Sequence, residues 1–286
     1  MNTKPPCRLF AILARKAPIG VIFRRGPSDW VRLIKWHTDT DEIERGQWFH
    51  GRIYEKRCDL SPHGHLLVYF AAKRFKIDPA YTGTWTAVSK PPYLTALGLW
   101  PKGDSWAGGG LFKHDKELFL NHRLDASKPH KDHLPQNLKV EPNPDAYGED
   151  SPIYDIRLLR DGWELRQELE CHEVKKAYVT DKPEIYTKSH ADKSLNLLMI
   201  TSNNSPDGIT LVSEFSLELP EYGVQYPVSD ATWADWDQRG RLVFVKEGIL
   251  FAADVDESGV FIPVQIEDFN DDEPEAIESP EWAKKW

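Results

Sequence analysis

One spacing constrains this chain more than any other: an Asp, four residues, a Gly, one residue, and a Leu that opens an apolar run. It occurs from Asp59 to Phe70 (DLSPHGHLLVYF) and again from Asp235 to Val245 (DWDQRGRLVFV). A weaker echo, from Leu111 to Leu120 (LFKHDKELFL), lacks the Asp and the Gly at those positions. Gly supplies the positive φ of a tight turn. The run after it must be apolar if a sheet is covered on both faces, as in stacked blades. Self-similarity of this kind is the mark of repeat architectures.

The rest of the chain reads mainly as strands. The segments 21–25 and 30–36 flank a turn at Gly26–Asp29, and 30–36 (WVRLIKW) alternates as a half-buried strand does. Further strands are expected at 43–49, 51–57, 66–72, 84–88, 94–100, 110–112 and 117–121. They resume at Tyr154 and recur at 177–180, 196–201, 210–217, 241–246 and 249–254. The stretch 161–176 (DGWELRQELECHEVKK) has good helix formers. Asp161-Gly162 between apolar runs is nevertheless a hairpin signal, and a hairpin is the preferred reading. Five prolines and little apolar content make 123–152 a long surface loop.

The segment 61–69 (SPHGHLLVY) resembles the S-P-D-G-x-x-[LIV]-x-[YF] element of TolB-like and WD-repeat propeller blades, with His63 where Asp is usual. The segment 237–244 (DQRGRLVF) is similar to a looser version of it, and Ser205–Gly208 matches the literal S-P-D-G string. The texture also resembles bacterial propeller-like proteins. The resemblance implies an all-β chain forming a single β-propeller of five blades, or six if some are short. It implies no activity, because propellers host ligases, hydrolases and scaffolds alike. The expected division is a propeller over 1–266 and an acidic, proline-containing arm over 267–286, with Trp282 and Trp286 as anchors.

Forty per cent hydrophobic and 12% aromatic residues suffice for a core. No apolar run approaches the roughly 18 residues of a membrane helix. Arg15 and Lys16 interrupt the apolar start, so a secretory leader is not expected. Three widely spaced cysteines suit a reducing cytoplasm. A net charge of −9 argues against general nucleic-acid binding. Basic residues crowd the first 35 positions and acidic ones the last 33. Mutual compensation of the two ends is a simpler reading of this than an anion-binding face.

Candidate chemistry is thin. The run Lys102–Gly110 (KGDSWAGGG) lacks the Gly-Lys-Ser/Thr ending of a phosphate loop, so its glycines are read as easing backbone crowding at a strand start. His130 and His133 have a metal-compatible spacing but no evident third ligand, and no metal or other cofactor is expected. Cys171 and His172, adjacent on a strand, would face opposite ways. Trp85, Tyr93, Trp100, Trp106, Trp233 and Trp236 could supply a partner-binding rim. The leading expectation is therefore a non-catalytic interaction or regulatory scaffold in the cytoplasm. Its partner would be a protein, a regulatory protease being one option, held through a propeller rim and the 123–152 loop. The alternative is a propeller hydrolase or lactonase using central carboxylates Asp59, Asp104 and Asp235, with or without a bound divalent cation.

Overall fold

The computed structural model describes residues 5–26, 29–73, 79–150, 152–168, 184–202 and 212–286. The first sheet is an antiparallel meander of β1 (Arg8–Leu13), β2 (Ile19–Arg25), β3 (Trp30–His37) and β4 (Glu42–His50). The second holds β5 (Arg52–Ile53), β6 (Asp59–Leu60), β7 (Leu67–Ala72), β8 (Thr84–Ser89) and β9 (Gly98–Pro101). Both β5 and β6 pair with β7, so they are one edge strand interrupted by a 3-10 turn at Glu55–Arg57. The third comprises β10 (Gly110–His114), β11 (Glu117–Leu120) and β12 (Lys139–Pro142), the last parallel to β11.

One α-helix, α1 (Ile153–Arg160), follows among the described residues. The fourth sheet runs β13 (Glu164–Glu168), β14 (Glu184–Ser189), β15 (Asn196–Ser202), β16 (Val212–Leu219) and β17 (Val224–Pro227). The fifth runs β18 (Trp233–Trp236), β19 (Leu242–Lys246), β20 (Ile249–Ala253) and β21 (Val264–Asp268). Five successive, chiefly antiparallel sheets are the strand pattern of a five-bladed propeller, and the chain is all-β and propeller-type as expected. It divides into two compact units, Met1–Arg157 with Asp271–Trp286, and Leu158–Asn270.

The repeated spacing produces two similar turns, the first one residue longer than the second. Asp59 pairs with Val68 and Leu60 with Leu67, while Asp235 pairs with Val243 and Trp236 with Leu242. Gly64 and Gly240 take φ of +74° and +76°. Two residues after each Asp sits the side chain that ties the turn. Ser61 Oγ accepts the Leu66 N–H at 3.0 Å, and Asp237 Oδ1 accepts the Arg241 N–H at 2.9 Å. The strands that follow are buried on both faces, all six residues of β7 included. A lone sheet with one wet face would alternate instead.

Several expectations are corrected. Residues 153–160 are helical rather than a strand, with burial at Ile153, Arg157 and Leu158 in helical spacing. Asp161-Gly162 terminates that helix instead of turning a hairpin. The 123–152 loop contains β12, and the leader-like start contains β1. The expected strand at 177–180, the Cys171–His172 pair and Ser205–Gly208 lie outside the described residues.

Two features hold the first unit together. The side chain of Arg57, 1% exposed, donates to Asp150 Oδ1 at 3.0 Å and to the Ser105 and Ala107 carbonyls at 2.6 and 2.8 Å. Its guanidinium also lies 4.6 Å from the Tyr54 ring centre and 5.2 Å from that of Phe70. The second feature is the acidic arm. Asp272 accepts from Arg32 Nη1 at 3.1 Å and Arg45 Nε at 3.2 Å, and Glu275 accepts from Arg32 Nη2 at 2.9 Å. Lys90 caps the Trp282 and Lys285 carbonyls, and the Trp286 indole donates to Leu97 and Leu134. The acidic end thus compensates part of the basic start.

A Cβ at Gly109 (φ +77°) would stand 2.0 Å from the Arg57 carbonyl oxygen. Gly109→Ala should therefore cost about 3 kcal/mol or more in urea unfolding, through strain and overlap combined. Asp272→Asn should cost about 2 kcal/mol, because it removes the anion from a nearly buried Arg32 while leaving Glu275 in place. In limited proteolysis it should release the 271–286 segment sooner than in the wild type.

Candidate active site

The second unit holds a carboxylate in an unusual setting. Asp235 lies in β18, and the residues beside it are drawn from β14 and from the turn that ends α1. Lys188 Nζ donates to Asp235 Oδ1 at 2.6 Å, and the same oxygen accepts the Trp236 N–H at 2.8 Å. Oδ2 takes no hydrogen bond among the described residues. The Asp235 side chain is 15% exposed and Lys188 17%. Burial raises the carboxyl above its ordinary range; Lys188 opposes that rise, and the charge of Asp161 adds to it. The outcome is a carboxylic acid that keeps its proton longer than a surface Asp would, with one oxygen fixed and one open.

Asp161 is placed by the end of the helix. Gly162 (φ +90°) takes the left-handed position past the C-terminus, and the Trp163 N–H donates to the Leu158 carbonyl at 2.9 Å. Arg160 grips the Asp161 carboxylate at both oxygens, at 2.8 and 3.0 Å. Lys188 Nζ lies 5.9 Å from the Trp163 ring centre, and the Trp236 indole donates to the Lys188 carbonyl at 3.1 Å. His190 packs edge-on against Trp236 at 4.9 Å and shares a 2.9 Å hydrogen bond with the Gly240 carbonyl. Asp235, its proton affinity raised by burial, thus sits within reach of the charge of a second carboxylate, Asp161.

The other carboxylates expected to share a centre serve local structure in the first unit. Asp59 is buried and accepts the Phe112 N–H at 2.7 Å, tying β6 to β10. Asp104 is exposed, pairs with Lys102 at 2.9 Å and caps the Trp106 N–H at 2.8 Å. These contacts hold its carboxyl below the ordinary value despite some opposing desolvation. Asp235 alone of the three lies in the second unit, beside Lys188. Asp161 was missed because only its turn chemistry, not its charge partner, is visible in the sequence.

The histidines of the first unit serve local structure. His122 is fully buried; its Nε2 lies 2.7 Å from Thr86 Oγ1, and its Nδ1 lies 3.0 Å from the Ala126 carbonyl. Thr86 Oγ1 in turn accepts the Gly109 N–H at 2.8 Å. A carbonyl can only accept, so Nδ1 carries the proton and Nε2 accepts from Thr86. His130 stacks on Tyr81 at 4.4 Å, and His133 hydrogen-bonds to the Ala96 carbonyl and the Tyr81 hydroxyl. Among the described residues, no group of three or more His, Cys, Asp and Glu is placed to hold a metal. No described helix is long and apolar enough to cross a membrane.

The aromatics expected on a binding rim lie chiefly in packed positions. Trp100, Trp233 and Trp236 are buried, Trp85 packs edge-on against Phe49, and Tyr93 packs against Trp282 of the arm. Trp106 is exposed. No family model matches the chain, and no curated protein is similar to it. Among solved structures it is similar to the GH43 BlXynB protein from Bacillus licheniformis at 10% identity and a TM-score of 0.32. A mutant of that protein is similar at 9% identity and a TM-score of 0.34. In both cases 92% of this chain is covered, and the chain spans 56% of the other's length. The expected non-catalytic interaction scaffold is corrected: the aromatics on which its binding rim rested are mostly interior.

Burial lowers the His122 pKa to about 4, from 6.5. The unfolded chain therefore binds a proton between those values that the folded chain does not. The stability associated with neutral His122 is present above about pH 6.5 and is lost as pH falls toward 4, to a total of about 3 kcal/mol. Urea unfolding from pH 7.5 to 4.5 should show this slope, and His122→Gln should flatten it.

Proposed function

We propose that the chain is a hydrolase in which Asp235 is the general acid and Asp161 the partner carboxylate that acts as base. The observation that carries this reading is the Asp235 environment: Oδ1 is fixed by Lys188 and a backbone N–H, Oδ2 is open, and burial favours the protonated form. A carboxyl group whose burial favours the protonated form can serve as the acid beside a second carboxylate. In the proposed step, Asp235 gives its proton to the leaving oxygen of the substrate as the bond to that oxygen breaks. Asp161 takes a proton from the attacking water, so charge is conserved across the pair. Lys188 then faces the newly formed Asp235 carboxylate and stabilises it. The substrate class that fits is a neutral, oxygen-linked compound such as a glycoside or a lactone, whose departing oxygen needs a proton.

The turns at 61–69 and 237–244 support placing the blades with the TolB-like and WD-repeat type. Cys7 and Cys58 are free and buried, which suits a reducing cytoplasm.

Hydrolysis of a panel of nitrophenyl glycosides and aliphatic lactones tests the reading. Asp235→Asn should lower kcat by about a hundredfold or more with unchanged far-UV circular dichroism. Activity should decline on the alkaline side as Asp235 loses its proton. Lys188 lowers the proton affinity of Asp235, so Lys188→Met should move that alkaline limb to higher pH. Wild-type turnover that survives Asp235→Asn would remove Asp235 from the mechanism.

A further inference from the structure

The acidic arm neutralises only one part of the basic start. Arg32 and Arg45 are matched by Asp272 and Glu275. Arg8 and Arg25 lie elsewhere on the first sheet, directly opposite each other in the β1–β2 register, and therefore project from the same face. Arg52, at the start of β5, bears on Arg8 with its charge and rests its guanidinium 4.5 Å from the Tyr54 ring centre. The carboxylate whose charge reaches Arg8 is Glu55, and it is already bound to Arg25 Nη1 at 2.9 Å.

Arg8 and Arg25 thus share one carboxylate, with the charge of Arg52 added beside Arg8. The Arg8 side chain makes no hydrogen bond or ion pair among the described residues, and the Arg52 side chain makes only its stacking contact there. Crowding by Arg25, followed by burial, lowers the proton affinity of Arg8, the direction expected when like charges are held together without a counter-ion. Three fork-shaped donor groups, two on one face of the first sheet and one at the start of β5, match the oxygens of a tetrahedral dianion better than a single carboxylate. Like charges directly opposite each other on a sheet are destabilising, and a bound anion of charge −2 would offset the excess left after Glu55.

We propose that Arg8, Arg25 and Arg52 form a binding site for a phosphate-type dianion, built from β1 and β2 of the first sheet and the start of β5. The site belongs to the first unit and is independent of the hydrolase reading, which rests on residues of the second. Its ligand is the phosphate group itself, whether free in solution or displayed on a lipid headgroup.

Isothermal titration with inorganic pyrophosphate, at ionic strength held constant with sodium chloride, tests the first source. Sedimentation with phosphatidylcholine vesicles containing phosphatidylinositol phosphate tests the second. Saturable binding at one site is expected from at least one source. Arg8→Gln and Arg52→Gln should each weaken it about tenfold, the worth of one charge-assisted pair. Arg45→Gln, on the arm side of the sheet, should leave it unchanged. If a glutamine variant does not fold by circular dichroism, Arg8→Lys and Arg52→Lys are read in its place. They keep the charge but lose the fork, and should still weaken binding several-fold. Absence of saturable binding to both probes would overturn the proposal. So would binding that the Arg8 and Arg52 variants leave unchanged.

Discussion

The buried guanidinium of Arg57 is the contact on which the first unit most depends. It sits between β5 and β6, where the edge strand of the second sheet breaks, and it fills that break with polar partners from elsewhere. Two are carbonyls of the glycine-rich segment, and one is the carboxylate of Asp150 at the far end of the proline-rich loop. A cation taken out of water costs several kcal/mol unless its donors are satisfied, so those segments must follow it wherever it lies. Gly108 and Gly109 are glycines for the same reason: a Cβ at the first would meet the Phe70 ring, and at the second the Arg57 backbone. The segment that invites a phosphate-loop reading is thus shaped by close approach to an arginine already inside the protein.

How much of this was legible in the sequence depends on whether the decisive contact is local. The turns at Gly64 and Gly240 could be read because Gly, the tying side chain two residues after the Asp, and the apolar strand all lie within ten residues. The Asp161-Gly162 pair was ambiguous for a physical reason. A positive-φ glycine ends a helix as readily as it turns a hairpin, and only the burial of Ile153, Arg157 and Leu158 decides between them. Strand β1 was hidden because RLFAIL is apolar and followed by Arg15 and Lys16, a composition shared by leaders and edge strands. The pairing of β12 with β11 was hidden because a parallel neighbour arriving across eighteen residues leaves no turn signature.

The carboxylates show the same limit more sharply. Asp59 and Asp235 occupy the same place in the repeated spacing and begin from the same intrinsic chemistry. Asp59 faces a backbone N–H from β10 and becomes a structural acceptor. Asp235 faces Lys188 from β14 of another sheet, with Asp161 contributing charge from the end of α1, and burial raises its proton affinity. Nothing within the repeat distinguishes the two, because each role is written by residues more than forty positions away. An internal repeat therefore predicts the turn faithfully and the chemistry not at all.

Charge placement completes the picture. A chain with net charge −9 can still concentrate positive charge locally, provided the strands bring arginines into register. Around the first sheet this happens at two places with opposite outcomes. At Arg32 the guanidinium is nearly buried, so an uncompensated charge there would be costly, and the arm supplies Asp272 and Glu275. At Arg8 and Arg52 the side chains reach solvent, water screens their repulsion, and the fold tolerates them without a protein partner. Burial decides which positive charges the chain must neutralise itself and which it can leave available to a ligand.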